Sequence, residues 1–289
     1  MSEQGRDCTP TAPKQRQLLA LLLLSANQVV TTSTCIDELW DNSPPNSALS
    51  TVQSYILQLR RALGAIPRIG SPQAARRVLA TRDGGYILIA RNDELDINNF
   101  TALVREGRAR LRRDDAQASA LLGRALCMWQ GSALSDVQAG PVLRAHLIGL
   151  EEERISVREQ RVDAELRLGR HRELVGELSS LAAQYPTHEY LHAQLMLALY
   201  RSGRRTQALR VAQSLRQVMH DELGLEPSPG IHGLHRAMLV CDPLIDTHAG
   251  TDSVFDFTGA ASPGVVPPPD SVPDTALANC ARTDYCAES

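Results

Sequence analysis

The stretch "PPNSALSTVQSYILQLRRALG", residues 44–64, contains a helix start, an apolar stripe and a helix stop. Its apolar residues recur at alternating steps of three and four, which is the period of one helical face: Leu49, Val52, Ile56, Leu59 and Leu63. The proline pair cannot lie inside a helix, and Gly64 favours a helix end. We therefore predict a helix that begins at about Asn46 or Ser47, ends at Gly64 and buries this stripe.

The other face of this predicted helix has an unusual composition. It carries hydroxyl, amide and guanidinium groups instead of the Glu and Lys of a typical surface helix, and no acidic residue occurs between Ser43 and Arg82. Such groups hydrogen-bond base edges in the major groove, and arginine also binds phosphates. The pattern predicts a helix that reads DNA, and packing against another protein domain is the alternative interpretation.

The stretch "APKQRQLLALLLLSANQVV", residues 12–30, has two interpretations. It resembles the core and cleavage site of a secretory signal peptide. Alternatively, Pro13 lies in the first turn of a buried helix, with Lys14 and Arg16 exposed at its start. A short helix capped by Thr31 or Thr32 follows.

A β-hairpin is predicted after the helix that ends at Gly64. A polar loop, "RIGSPQAARR", leads into "VLATRDGGYILIA", residues 78–90, in which two β-rich runs flank Asp-Gly and Gly-Gly pairs. Three helices followed by a hairpin is the order of a winged helix-turn-helix. Arg82 at the hairpin tip is placed to enter a minor groove, unless it is simply a solvated turn residue.

From about residue 95 to residue 240 the pattern indicates helices only. The pairs Gly169-Arg170 and Gly203-Arg204 lie 34 residues apart, which is the tetratricopeptide period. The segment "DDAQASALLGRALCMWQG", from Asp114, resembles the second helix of an earlier, irregular unit. We expect a helical stack with a concave face here. From Cys241 onward the chain is rich in Pro, Ala, Ser and Gly and is expected to be a disordered tail.

Composition limits the possible functions. The 289 residues, 43% of them hydrophobic, suffice for about two domains. Residues 13–91 carry nine Lys/Arg against four Asp/Glu, whereas the remainder to the C-terminus is acidic, which favours an anionic partner for the first part only. No apolar run reaches the ~20 residues of a membrane span. Six cysteines without a Cys-x-x-Cys pair indicate free thiols in a reducing compartment, and Cys35 and Cys127 are expected to be buried.

No constellation of catalytic residues is evident. Phosphate-binding glycine loops, a nucleophile elbow and a His-Glu-x-x-His helix are all missing from the sequence. His188 and His192 have a spacing that could bind a metal but lack a third ligand, and residues 151–153, all glutamates, are interpreted as a solvated helix face. The sequence therefore predicts a protein that is not an enzyme and needs no metal or cofactor.

Residues 13–64 closely resemble the DNA-binding segment of the SARP-type regulators, actinomycete activators of antibiotic pathways with an OmpR-like winged helix. Five later segments resemble the bacterial transcriptional activation domain of that family: "LDINNFTALVREGRARL", "ALCMWQGSALSD", "LEEERISVREQRVDAELRLGRHRELVGEL", "HEYLHAQLMLALYRSGRRTQALRV" and "DELGLEPSPGIHGLHRAML". The match runs in register over residues 13–239. It favours the buried-helix interpretation of the leucine run over the signal peptide.

The resemblance implies a mainly α fold, with a winged helix-turn-helix at residues 13–91 that ends in a β-hairpin. A TPR-like all-α helical repeat domain would follow at residues 95–240. The disordered tail at residues 241–289 is expected from its composition alone. The family has a small antiparallel sheet before "PKQR", which residues 1–12 are not expected to form, so this segment is predicted to be disordered or truncated. We expect neither a receiver domain before the winged helix nor ATPase and sensor domains after the repeats.

The resemblance also implies a function. Members bind direct repeats in promoter DNA as head-to-tail homodimers in the cytoplasm and recruit RNA polymerase holoenzyme to antibiotic biosynthetic genes. The family pattern places six residues against the groove: Ser50, Gln53, Ser54, Leu57, Gln58 and Arg61. It adds Lys14 and Arg16 of "PKQR", and Arg82 before "GGY", where the family has a "PGY"-like turn. The alternative is a helical-repeat adaptor whose winged domain contacts only protein.

Overall fold

The computed structural model describes residues 2–3, 6–7 and 9–246. Two short strands, β1 (Ser2–Glu3) and β2 (Arg6–Asp7), pair antiparallel near the start of the chain. The expectation that residues 1–12 form no strand pair is therefore wrong. A ladder of two residues per strand needs only backbone hydrogen bonds, so it leaves no alternating apolar pattern that the sequence could reveal.

A winged helix-turn-helix follows. Its elements are α1 (Pro13–Leu24), β3 (Val29–Thr31), α2 (Thr32–Trp40), α3 (Ala48–Gly64), α4 (Pro72–Val78), β4 (Leu79–Arg82) and β5 (Gly85–Leu88). The predicted hairpin β4–β5 is present, and β3 pairs with its second strand, so that the antiparallel sheet has the order β3-β5-β4. Two elements were not predicted: β3, and α4, which replaces most of the polar loop.

The leucine run forms the central helix of this domain. Leu18, Leu21 and Leu22 are completely buried in α1, in one core with Val52 and Ile56 of α3. Pro13 lies at the first turn, where a missing amide N–H leaves no helical hydrogen bond unmade. The stretch therefore acts as a core helix.

The buried stripe of α3 differs from the prediction at one position. Val52, Ile56, Leu59 and Leu63 are buried, but Leu49 is 52% exposed, and Ala48 lies in the core instead. Ala48 precedes Val52 by one helical turn, so the core face continues through it. Leu49 therefore belongs to the solvent face of α3.

The second domain is entirely helical. After a short 3-10 turn (Asn92–Glu94), it contains α5 (Asp96–Arg110), α6 (Asp115–Cys127), α7 (Pro141–Arg167), α8 (His171–Gln184), α9 (Glu189–Arg201), α10 (Arg205–Leu223) and α11 (Pro229–Val240). Sequential helices pack against each other in pairs. Gly169 and Gly203 lie two residues after the last residues of α7 and α9 and adopt φ values of 80° and 79°, a left-handed conformation that ends a helix. The mainly α fold with a winged helix and a repeat-like helical domain is thus confirmed.

The chain remains ordered beyond the predicted end of the helical domain. A 3-10 turn (Pro243–Asp246) follows α11, Ile245 is buried, and its carbonyl oxygen accepts a hydrogen bond from Arg201 Nε at 2.7 Å. The disordered tail was therefore placed too early, because one isoleucine after a proline carries no periodic signal. The rest of the predicted tail, residues 247–289, lies outside the described residues.

The two cysteines that were expected to be buried differ in exposure. Cys35 is buried as expected, and burial raises the pKa of its thiol to about 12, whereas Cys127 is exposed on the last turn of α6. In the part of the chain that the structure describes, no group of acidic, histidine and cysteine side chains is arranged to hold a metal ion. No helix in that part combines the length and hydropathy required to cross a bilayer.

A buried carboxylate joins the two domains. Glu38 of α2, 1% exposed, accepts hydrogen bonds from the backbone N–H groups of Gly140 at 2.6 Å and Leu143 at 2.9 Å, at the start of α7. Gln17 of α1 donates to the same carboxylate at 2.8 Å. Leu143 is completely buried in the core of the winged domain. The first turn of α7 is therefore capped by a side chain from the other domain.

Candidate nucleic-acid interface

The solvent face of α3 presents the predicted groove-facing residues together. All six are exposed: Ser50, Gln53, Ser54, Leu57, Gln58 and Arg61. They share one face because residues four apart lie one helical turn from each other. The face contains no carboxylate, since the whole segment from Ser43 to Arg82 lacks acidic residues.

Hydrogen bonds within the protein distinguish the polar members of this face. The Ser50 hydroxyl donates to the Ser47 carbonyl oxygen, and the Ser54 hydroxyl donates to that of Ser50, both at 2.9 Å. These hydroxyls therefore offer acceptor lone pairs to a partner. The Gln58 amide oxygen accepts from Gln15 of α1. The Gln53 side chain makes no hydrogen bond within the described residues, so its amide keeps both donor and acceptor capacity.

Two exposed leucines flank Gln53 along the helix. Leu49 lies one turn before it and Leu57, 43% exposed, one turn after it. Sequence reasoning included Leu57 but assigned Leu49 to the core. The available signal was Ala48, which continues the buried stripe by the four-residue step. Apolar side chains at such positions can contact thymine methyl groups in the major groove.

The wing is fixed beside the start of α2. Arg82 is exposed at the end of β4, and Gly84 at the tip adopts φ 76°. The Gly84 carbonyl oxygen accepts a hydrogen bond from the Thr32 N–H at 2.9 Å. Gly85 packs so closely on β3 that an added Cβ would overlap the Val30 carbonyl oxygen. The tip that carries Arg82 is thus held in place by backbone contacts.

Lys14 and Arg16 differ from the sequence prediction. The Lys14 ammonium group donates to the Leu39 carbonyl oxygen and lies 4.7 Å from the ring centroid of Trp40. The Arg16 guanidinium binds the Asp136 carboxylate at 3.2 Å, in the segment that leads into α7. Both cations are half-buried and bind protein groups, so the prediction that they lie exposed at the start of α1 is corrected.

Sequence reasoning missed the structural role of Arg60. Its Nε donates to the Leu79 carbonyl oxygen and its Nη2 to the Thr81 hydroxyl, both at 2.8 Å, which ties α3 to the first strand of the wing. Burial and the positive charge of Arg76 lower the pKa of the Arg60 guanidinium from its usual value. The spacing of the helix places Arg60 next to the core stripe but says nothing about its partners on β4.

Comparison with known proteins places this architecture in a family. The family "Transcriptional regulatory protein, C terminal" matches residues 6–88, and the family "Bacterial transcriptional activator domain" matches residues 95–239. The regulatory protein DnrI of Streptomyces peucetius is 44% identical over 84% of this chain and 89% of its own length. This chain belongs to the SARP-type transcriptional regulators.

Two further relatives of this SARP-type regulator are longer than it is. The regulatory protein AfsR of Streptomyces coelicolor is 36% identical over 89% of this chain, which spans 26% of AfsR. The solved structure of Mycobacterium tuberculosis EmbR in complex with a low-affinity phosphopeptide superposes with a TM-score of 0.76 and 30% identity. That match covers 84% of this chain and 63% of the EmbR chain. The resemblance inferred from the sequence is thus confirmed.

Proposed function

We propose that this SARP-type regulator activates an antibiotic biosynthetic gene cluster in the cytoplasm. It binds direct repeats in promoter DNA as a head-to-tail homodimer and recruits RNA polymerase holoenzyme through its helical domain. The observation that supports DNA binding best is the face of α3, which is exposed, free of carboxylates and flanked by a wing with an exposed arginine. Its relatives are transcriptional regulators. We propose neither a catalytic step nor a cofactor for it.

Each residue of the face has a distinct part in this proposal. Gln53 reads a base edge through its free amide, and the Ser50 and Ser54 hydroxyls accept hydrogen bonds beside it. Leu57 contacts a thymine methyl group. Gln58, held by Gln15, supports this row, while Arg61 binds a phosphate.

The remaining predicted contacts belong to the wing and to α1. Arg82 enters the adjacent minor groove. Lys14 and Arg16 stabilise the winged domain and its junction with α7 through the contacts described above, so phosphate binding is not part of their proposed role.

The experiment is a selection of binding duplexes from a random pool, followed by footprinting and fluorescence anisotropy. We expect protection of two direct repeats about one helical turn apart. Gln53→Ala should weaken binding to the selected duplex by ~1–3 kcal/mol and leave binding to a random duplex nearly unchanged. Gln213→Ala, an exposed glutamine on α10, is the matched control. Failure to select any duplex, or equal effects of the two variants, would contradict the proposal.

Polymerase recruitment is tested separately. In a purified system, the wild-type protein should raise transcription by RNA polymerase holoenzyme from the selected promoter. Gln53→Ala should reduce this activation in proportion to its lost DNA affinity. If the protein captures polymerase but neither binds DNA nor changes transcription, the adaptor interpretation is the correct one.

A further inference from the structure

A group of arginines lies where α3, α4 and β4 meet. Helix α4 connects the C-terminal end of α3 to the wing, and Ala75 anchors it by complete burial in the domain core. Ser71 caps its first turn by accepting the Ala74 N–H at 3.1 Å. Arg76 and Arg77 project from its last turn and are exposed. Helix α4 is therefore a fixed support that presents two cations next to the DNA-reading helix.

Arg60 extends this group onto α3. It is partly buried and held by two hydrogen bonds to β4, which leave three of its five N–H donors for another acceptor. Arg76 lies close enough that its charge, together with burial, lowers the pKa of Arg60. Two guanidinium groups thus repel each other at this junction, and a bound anion would relieve that repulsion.

The described residues place no carboxylate against these charges. Within residues 9–246, no carboxylate forms an ion pair with Arg60, Arg76 or Arg77. Four arginines of the helical domain form close ion pairs with carboxylates of neighbouring segments or helices: Arg108, Arg161, Arg167 and Arg170. Other described arginines there, such as Arg210 and Arg236, are exposed without such a pair, so an unpaired arginine alone identifies no site. What points to an anionic partner at the α3–α4 junction is that Arg60 and Arg76 lie on helices that pack against each other and that their charges repel.

We propose that Arg60, Arg76 and Arg77 form a second phosphate-binding surface, which contacts the DNA backbone beside the groove occupied by α3. Phosphodiesters fit this surface because guanidinium groups bind phosphate oxygens by charge-assisted hydrogen bonds. The surface lies outside both the exposed face of α3 and the wing tip. The inference rests on the proposed DNA-binding function and assigns α4 the task of increasing affinity without reading sequence.

The test is the salt dependence of DNA binding by the full-length protein. Fluorescence anisotropy with the selected duplex, at salt concentrations from 50 to 200 mM, compares wild type with Arg76→Ala/Arg77→Ala. Loss of two phosphate contacts should reduce the slope of log K against log salt by about 2, and the affinity deficit should be about tenfold larger at 50 mM than at 200 mM. The deficit should be similar on a random duplex, because phosphate contacts carry no sequence information.

Two controls separate a local contact from a general charge effect. Arg210→Ala/Arg236→Ala removes the same charge from exposed positions of the helical domain and should leave the slope unchanged. Arg76→Lys/Arg77→Lys keeps the charge and should retain most of the slope. A slope for Arg76→Ala/Arg77→Ala equal to that of wild type, or equal losses in both double-alanine variants, overturns this inference alone. Absence of DNA binding by the wild type overturns the proposed function as well.

Discussion

Replacing Glu38 by glutamine should uncouple α7 from the winged domain. The carboxylate accepts three hydrogen bonds, from Gln17 and from the backbone N–H groups of Gly140 and Leu143. An amide of the same shape has only one acceptor oxygen. If that oxygen keeps the two donors at Oε1, the amide NH₂ group faces the N–H of the fully buried Leu143. One charge-assisted hydrogen bond is lost and one buried donor is left unpaired.

The expected cost follows from the broken hydrogen bond to Leu143 and from the removal of the charge. Breaking a hydrogen bond to a charged group and leaving its buried N–H donor unpaired is one loss, which costs ~1.5–3 kcal/mol. The interaction of the negative charge with the N-terminus of α7 adds ~0.3–2 kcal/mol. Relief of the desolvation of a buried charge offsets part of the total. We expect Glu38→Gln to reduce the free energy of unfolding by about 3 kcal/mol.

Urea denaturation followed by circular dichroism measures the change in stability. Hydrogen exchange measures its location, because the amide of Leu143 should lose protection by about 100-fold if the cap opens locally. Asp37→Asn, which alters the exposed neighbour on the same helix, should change stability by less than ~0.5 kcal/mol. An unchanged unfolding midpoint together with unchanged protection of Leu143 would refute the assignment of Glu38 as the cap of α7.

Gly140→Ala should destabilise the protein by at least ~3 kcal/mol, because its Cβ would overlap the Glu38 carbonyl oxygen. Gly149→Ala, within α7, meets no neighbour within 4 Å and should be neutral or stabilising in the same urea titration. Burial, with the charges of Asp163 and Glu152, raises the pKa of Glu159 from 4.5 to about 7. The unfolded chain therefore releases this proton at lower pH than the folded protein does. As a result, the free energy of unfolding of the wild type should fall as pH rises from about 4.5 to 7. In thermal denaturation, Glu159→Gln should therefore stabilise the protein by up to ~3 kcal/mol at pH 8 and have little effect at pH 4. Equal effects at both pH values would disprove the raised pKa of Glu159. Asp83→Asn, at the exposed wing tip, should strengthen DNA binding about threefold at low salt, because it removes repulsion between the carboxylate and the phosphates. Fluorescence anisotropy measures this change, and weaker binding by the variant would place the tip away from DNA.

The elements with a strong local signal were predictable from the sequence. Helix α3 has four core residues at helical spacing between a capping segment and a glycine, and the hairpin has glycines at the one point where φ must be positive. The repeat spacing of Gly169 and Gly203 likewise indicated paired helices. In each case the physical cause lies within one or two turns of chain, so periodicity and turn chemistry are sufficient.

The exposed face of α3 was also predictable in composition, because the core stripe leaves only one face for solvent. Which polar side chains of this face are free to bind a partner could not be predicted from the sequence. Whether Gln58 is held by Gln15, and whether Gln53 is free, depends on the angle at which α1 crosses α3. The position of Leu49 depended on Ala48, whose small side chain fits the core but carries a weak hydrophobic signal.

Contacts between distant segments were decided by the tertiary structure alone. The pairing of β3 with β5 joins residues more than fifty positions apart, and Glu38 caps a helix that begins about a hundred residues later. Lys14 and Arg16 have the composition of phosphate ligands, yet one binds the end of α2 and the other binds Asp136. A sequence records which groups a residue carries and the local period in which it recurs. Which group meets which is determined only when the cores close and buried polar groups require partners.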